Sequence, residues 1–259
     1  MEILSNSIKL RVSNLTKTLD NKVILNNISF NVYEGEFLSI LGLSGCGKTT
    51  LLRILIGLDR QSSGTIHKGD VEISNLGCSA RGMGIVFQNY ALFPNMTVLQ
   101  NVEYGLRIQK RTKKDAHEIA LTTLDQLGMM EQIDKKPNQL SGGQQQRVAI
   151  ARTLALKPDL ILLDEPISAL DVTNREIMKQ ELKNIQRKFN STMVYVTHEQ
   201  EEAFYLSDRI MVMKDGNIEQ IDTPVNLFRN PKTEYIEEFV IDHLERKYQS
   251  LLKCTGRSL

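Results

Sequence analysis

The run Gly42-Leu43-Ser44-Gly45-Cys46-Gly47-Lys48-Thr49 constrains this chain more than any other stretch. It satisfies G-x-x-x-x-G-K-[ST] and lies between a strand signal and a helix signal. Upstream, Glu34-Gly35 turns into the apolar run Phe37-Leu38-Ser39-Ile40-Leu41. Downstream, Leu51, Leu52, Leu55 and Ile56 recur at helical spacing until Gly57, a helix stop. Glycines let such a loop curl so that its N–H groups converge on an anion, and the helix that follows adds its positive N-terminal end. The spacing therefore predicts a phosphate site. In it Ser44, Gly45, Cys46, Gly47, Lys48, Thr49 and Thr50 surround the anion, Lys48 reaches the outer phosphates, and the Thr49 hydroxyl helps hold Mg²⁺.

Elsewhere, short apolar runs alternate with helical stretches. Val23–Leu25 and Ile28–Val32 precede the loop; Leu160–Leu163, Met193–Val196 and Arg209–Met213 follow it. Strands alternating with helices imply an α/β fold with a largely parallel sheet, in which ligands gather at the carboxyl ends of strands. Asp164-Glu165-Pro166, Thr197-His198-Glu199 and Lys214-Asp215-Gly216-Asn217 all follow such strands. Asp164 is placed to hold Mg²⁺ and Glu165 to accept a proton from an attacking water. From about Val98 to Leu127 the pattern is helical and polar, with Lys110–Lys114 as a solvated turn. Near the C-terminus, Ile236, Val240, Leu244, Tyr248 and Leu252 form an amphipathic stripe expected to pack on its own domain.

Charge and cysteine usage exclude other classes. The 259 residues carry 32 Lys+Arg against 31 Asp+Glu, a net charge of +1, which supplies no overall field to hold a nucleic acid. Cys46, Cys78 and Cys254 are too few and too scattered for a disulfide scaffold or a zinc site, so a reduced, cytoplasmic setting is expected. The N-terminal residues have no apolar core of a signal peptide, and no apolar stretch approaches the roughly 20 residues that span a bilayer.

Leu140-Ser141-Gly142-Gly143-Gln144 adds a further motif. With Gln88, Asp164-Glu165-Pro166, Ser168-Ala169-Leu170-Asp171 and His198, it makes the chain resemble the ATPase subunit of an ATP-binding cassette (ABC) transporter, from about residue 9 to 239. The stretches Val86–Pro94 and Tyr195–Glu199 are similar to the importer branch that serves small polar solutes. The resemblance implies a P-loop, RecA-like core of about residues 1–88 and 151–240 with a mostly parallel sheet. It also implies an antiparallel β part near the N-terminus, an inserted helical subdomain of about 89–150 and a helical tail of about 233–259. Two subunits would meet head to tail, so that Ser141, Gly143 and Gln144 of one face the ATP held by the other. Glu165, His198 and Gln88 would be catalytic; Thr49, Gln88 and Asp164 would hold Mg²⁺; Asp171 would couple the two sites.

The same resemblance implies two transmembrane permease subunits, an external solute-binding protein and a peripheral position on the cytoplasmic face of the membrane. Tyr90-Ala91-Leu92-Phe93-Pro94 would line the groove for a permease helix, although these apolar residues read equally well as core. Leu19 stands where the family places an aromatic residue against adenine; Tyr33 is the nearest aromatic and is not assigned that role. A C-terminal β-rich regulatory domain, frequent in this branch, is not expected. The alternatives are a soluble ABC ATPase acting on nucleic acid or ribosomes, an exporter ATPase, and a nucleotide-dependent module without turnover.

Overall fold

A computed structural model describes residues 7–168 and 170–255, with side chains to residue 249. In chain order the strands are β1 (Ile8–Leu19), β2 (Lys22–Tyr33), β3 (Phe37–Leu41), β4 (Ser63–Lys68) and β5 (Val71–Glu72). They continue as β6 (Met83–Val86), β7 (Leu160–Asp164), β8 (Met193–Thr197), β9 (Arg209–Lys214) and β10 (Asn217–Asp222). The helices are α1 (Lys48–Ile56), α2 (Val98–Ile108), α3 (Lys113–Gln126), α4 (Gly142–Leu154) and α5 (Val172–Phe189). After them come α6 (Gln200–Leu206), α7 (Pro224–Arg229), α8 (Glu234–Ile236) and α9 (Asp242–Thr255), with a π-helical turn at Glu237–Ile241. The chain divides into two compact units. One holds the residues up to Leu55, Asp59–Asn75 and everything from Val194; the other holds Ile56–Leu58 and Leu76–Met193.

In the first unit, β2, β1, β4 and β5 form an antiparallel sheet in that order. A second set runs β10-β9-β3-β8, with β3 and β9 parallel and β9 and β10 an antiparallel hairpin. All five residues of β3 are buried, as a strand covered on both faces requires. The two strand signals on either side of Asn26-Asn27 fuse into one strand, β2. Asn27 takes φ 50° there, its Oδ1 accepts from Asn14 Nδ2 at 2.8 Å, and the pairing with β1 shifts register. These bulges absorb the polar break without ending the strand. At the C-terminus, Ile236 and Val240 are fully buried against Leu41, Ala203, Ile210 and Val212. Leu244 is partly buried, but Tyr248 is 49% exposed. The apolar stripe thus packs through the π turn, where Val240 and Ile241 are buried, and ends in α9, whose residues 245–249 are exposed. The side chain of Leu252 lies outside the described residues.

In the second unit, β6 and β7 are parallel, with Met83 opposite Leu160 and Val86 opposite Leu163. That register brings the segments holding Gln88 and Asp164 out at the same edge. The helical stretch resolves into α2 and α3, with Lys113 and Lys114 already in the first turn of α3. Thr97 and Gln100 form a reciprocal capping box for α2, and Ser141 and Gln144 form one for α4. Asp171 caps α5, which ends at Asn190 in a left-handed conformation with φ 45°.

Candidate nucleotide-binding site

The glycine loop sits between β3 and α1, and its shape depends on glycine at three positions. Gly45 and Gly47 have φ of 85° and 105°. A Cβ at Gly47 would lie 2.7 Å from Leu25 Cδ2, and one at Gly42 would lie 2.5 Å from the Met213 carbonyl oxygen. A Cβ at Gly45 would meet nothing within 4 Å, so that side of the loop is open. The β9–β10 turn props the loop from beneath: Gly216 N–H donates to the Cys46 carbonyl at 3.1 Å, and Asn26 N–H donates to the Gly216 carbonyl at 2.9 Å. Gly216 supports the loop from a position that the sequence marks only as a turn. Its missing side chain is required because a Cβ would stand 2.4 Å from the Ile24 carbonyl oxygen.

Lys48 is almost wholly buried, and its Nζ donates to the carbonyls of Gly42 at 2.7 Å and Leu43 at 2.9 Å. The ammonium is thus drawn back across the loop whose amides it accompanies. Ser44, Gly45 and Thr49 remain exposed at its mouth. An exposed cradle of amides, one ammonium and the N-terminus of the nine-residue helix α1 fits a polyphosphate. Cys46 contributes backbone only. Its thiol is buried toward Gly42, and burial raises its pKa despite the opposing charge of Lys48, so it is shielded from alkylating reagents before any ligand binds.

His198 follows β8 and is exposed, with its Nε2 3.8 Å from Glu199 Oε1. The turn that carries it is locked from below. Buried Glu202 accepts from the Tyr195 hydroxyl at 2.6 Å and the Thr197 hydroxyl at 2.8 Å, and Thr197 Oγ1 accepts from the Glu199 N–H at 3.0 Å. Sequence reasoning missed Glu202; its only signal is an acid one helical turn beyond a histidine. An open cleft of about 400 Å³ joins His198 to Leu43 and Ser44 of the glycine loop and to Phe239, His243 and Arg246 of the C-terminal segment. Gln200 Nε2 donates to the Phe239 carbonyl at 2.9 Å, which fixes that segment beside the histidine turn. Leu19 is 56% exposed at the tip of the β1–β2 hairpin. Tyr33, at the far end of β2, lies under the Arg209 guanidinium at 4.8 Å.

The remaining candidates lie in the second unit. Glu165 follows β7 with φ 45°, a left-handed conformation that costs a non-glycine residue about 1–2 kcal/mol. Ser168 Oγ donates to the Glu165 carbonyl at 2.9 Å and accepts from Gln88 Nε2 at 3.1 Å, so Gln88 and Glu165 are joined through one hydroxyl. This turns the Gln88 amide so that its Oε1 is the end Ser168 does not use. Within this unit the carboxylate of Asp164 and the Gln88 amide oxygen are hard oxygen donors, the kind that suits Mg²⁺.

The segment after Gln88 is irregular. Tyr90 and Ala91 take φ of 60° and 45° in succession. Arg152 of α4 donates to both their carbonyls, at 2.9 Å to Tyr90 and 2.6 Å to Ala91, and lies over the Phe93 ring at 5.8 Å. Asn101 of α2 is fully buried. It donates to the carbonyls of Phe93, Met96 and Thr97 and accepts from the Phe93 N–H. Tyr90 is buried, whereas Ala91 and Pro94 are exposed and Leu92 and Phe93 half-buried, so this stretch is partly core and partly surface.

Ser141 Oγ accepts from the Gln144 N–H at 3.3 Å, which leaves its own proton as a donor. A Cβ at Gly142 would lie 2.9 Å from Leu170 Cδ2, whereas one at Gly143 would meet nothing within 4 Å. Asp171 accepts from the Asn174 N–H at 3.0 Å and from its side-chain amide at 2.6 Å, and these bonds lower its pKa. Ala169, between Ser168 and Leu170, lies outside the described residues.

A glycine-built anion cradle between a buried strand and a helix, in an α/β fold with parallel strands, defines a P-loop nucleotide-binding protein. Residues 25–168 match the family model described as ABC transporter, and the chain belongs to that family. It is 47% identical to the spermidine/putrescine import ATP-binding protein PotA of Marinobacter nauticus over 89% of its own length and 62% of the relative's. It is 50% identical to the Fe(3+) ions import ATP-binding protein FbpC 2 of Rhizobium meliloti over 83% of its length and 55% of the relative's. The match to PotA of Bacillus cereus is 46% identical and covers 89% of this chain and 71% of that one. The chain thus spans less than two thirds of the length of the first two relatives. A solved ATP-binding cassette, described as dimeric and in a post-hydrolysis state bound to ADP and Pi, superposes with a TM-score of 0.73 at 37% identity. That match covers 83% of this chain and 98% of the cassette.

Proposed function

We propose that the chain is the ATP-hydrolysing subunit of an ABC importer. It would act as a head-to-tail homodimer on two transmembrane permease subunits served by an external solute-binding protein, at the cytoplasmic face of the membrane. The observation that carries this is the Gln88–Ser168–Glu165 linkage, which ties the backbone carbonyl of an acidic residue in a left-handed turn to the Gln88 amide at the same edge of parallel strands. A residue held in so costly a conformation marks a functional position.

The phosphate loop holds the nucleotide through its amides and Lys48. Glu165 accepts the proton of the attacking water, and His198 bonds the outermost phosphate. Thr49 and Asp164, with Gln88, would hold Mg²⁺, which would supply neutralisation of the phosphate charge. Ser141 and the amides at the start of α4 receive the partner's nucleotide. Packing within the subunit gives no reason for glycine at 143, and the open space there supports approach by a ligand from outside. The cargo is a small polar solute or ion, a class that includes the polyamines and ferric ion for which relatives are named. Cargo selection falls to the other subunits.

Glu165→Gln tests the assignment. With MgATP the variant should double in mass by light scattering while releasing phosphate about 10²–10⁴-fold more slowly than wild type, the usual worth of a general base. A monomer with undiminished turnover would refute it.

A further inference from the structure

Arg152 lies at the C-terminal end of α4, the helix that begins at Ser141, and its guanidinium spans two consecutive carbonyls of the loop after Gln88. Those carbonyls belong to Tyr90 and Ala91, the two residues in left-handed conformations. Left to itself a non-glycine pair avoids that backbone, so something outside the loop must hold it. A planar fork with several fixed donors suits two neighbouring oxygens; an ammonium does not. Burial of the side chain lowers its pKa, in keeping with a guanidinium drawn out of water to reach these oxygens. The Tyr90 ring is buried beside it, with no hydrogen-bond partner for its hydroxyl, so that side chain offers no polar anchor of its own.

We propose that Arg152 is a positioning residue: it holds the Tyr90–Ala91 bend that sets Gln88, and it makes that bend move with the helix bearing Ser141 and Gly143. Gly143 and Arg152 lie nine residues apart on one helix, about 14 Å along a single rigid rod. A shift of the helix when its N-terminus meets a nucleotide is thereby delivered to the backbone two residues after Gln88. The proposal rests on the ATPase reading given above.

The test compares Arg152→Lys, Gln88→Ala and the double variant by phosphate release from the purified chain. Hydrogen exchange of residues 88–97 is measured alongside. Arg152→Lys should lower kcat about tenfold with KM for ATP within about twofold, because the nucleotide-holding loop is untouched. Exchange should rise in residues 88–97 and not elsewhere. If Arg152 acts through Gln88, the double variant should be no slower than Gln88→Ala alone. Wild-type kcat in Arg152→Lys, effects that multiply in the double variant, or loss of folding in Arg152→Lys would each overturn the proposal. Unchanged turnover in Gln88→Ala would instead break the ATPase reading beneath it.

Discussion

The loop at Gly42–Thr49 and the loop at Gln88–Thr97 both bend the backbone into regions that ordinary residues avoid, but they are built by opposite means. The first uses glycine where a side chain cannot fit or φ is positive, and it needs few side chains to hold it. The second puts Tyr90 and Ala91 in left-handed conformations held by Arg152 of α4, while Asn101 of α2 holds Phe93, Met96 and Thr97 further along. A glycine loop is rigid in itself and suits a fixed anion. A loop held by side chains from two helices keeps its shape only while those helices stay in place, which suits a segment that responds to their motion.

That contrast can be broken most severely at Gly47. Gly47→Ala combines a φ of 105° with a 2.7 Å clash against Leu25. It should destabilise the chain by about 2–4 kcal/mol in a urea melt and abolish nucleotide binding. Gly45→Ala, with a φ of 85° and no neighbour within 4 Å, should lose only the conformational part, about 1–2 kcal/mol. Equal losses at the two positions would show that packing plays no part in the loop.

In the second loop, Asn101→Ala removes a fully buried amide and strips partners from the backbone of Phe93, Met96 and Thr97. A loss of about 2–3 kcal/mol is expected, read as a lower denaturation midpoint at unchanged m-value. The smallest effect should come from Ala91→Gly. Relief of the left-handed conformation (about 1–2 kcal/mol) is offset by about 0.5–1 kcal/mol of added unfolded-chain entropy. The melt should therefore move up slightly or stay in place, and a clear drop would mean that Ala91 is not strained as described.

The same contrast explains what the sequence makes legible. Gly42, Gly45 and Gly47 announce their role because glycines spaced this way ahead of a lysine and a threonine form a backbone cradle for phosphate. The strand and helix beside them follow from apolar periodicity. The fusion of β2 across Asn26-Asn27 is not legible, because two asparagines signal a turn unless a partner strand supplies the bulge. Arg152 and Asn101 read as ordinary helix residues, since their targets lie 61 and 8 positions away and nothing local marks the bond. Glu202 is hidden for a similar reason: its partners Tyr195 and Thr197 come from a strand, and only the fold turns the helix back beneath them. The C-terminal stripe is legible as a helix, but the π turn within it has no sequence signature.

The proposed division of labour is that the glycine loop holds the nucleotide while the residues around Gln88 and Glu165 act on it. Calorimetric titration of MgATP into Lys48→Ala and Glu165→Gln, paired with single-turnover phosphate release, separates the two roles most directly. Lys48→Ala should lose nucleotide affinity, whereas Glu165→Gln should bind as tightly as wild type and scarcely hydrolyse. Tight binding in Lys48→Ala together with rapid hydrolysis in Glu165→Gln would contradict that division at both ends.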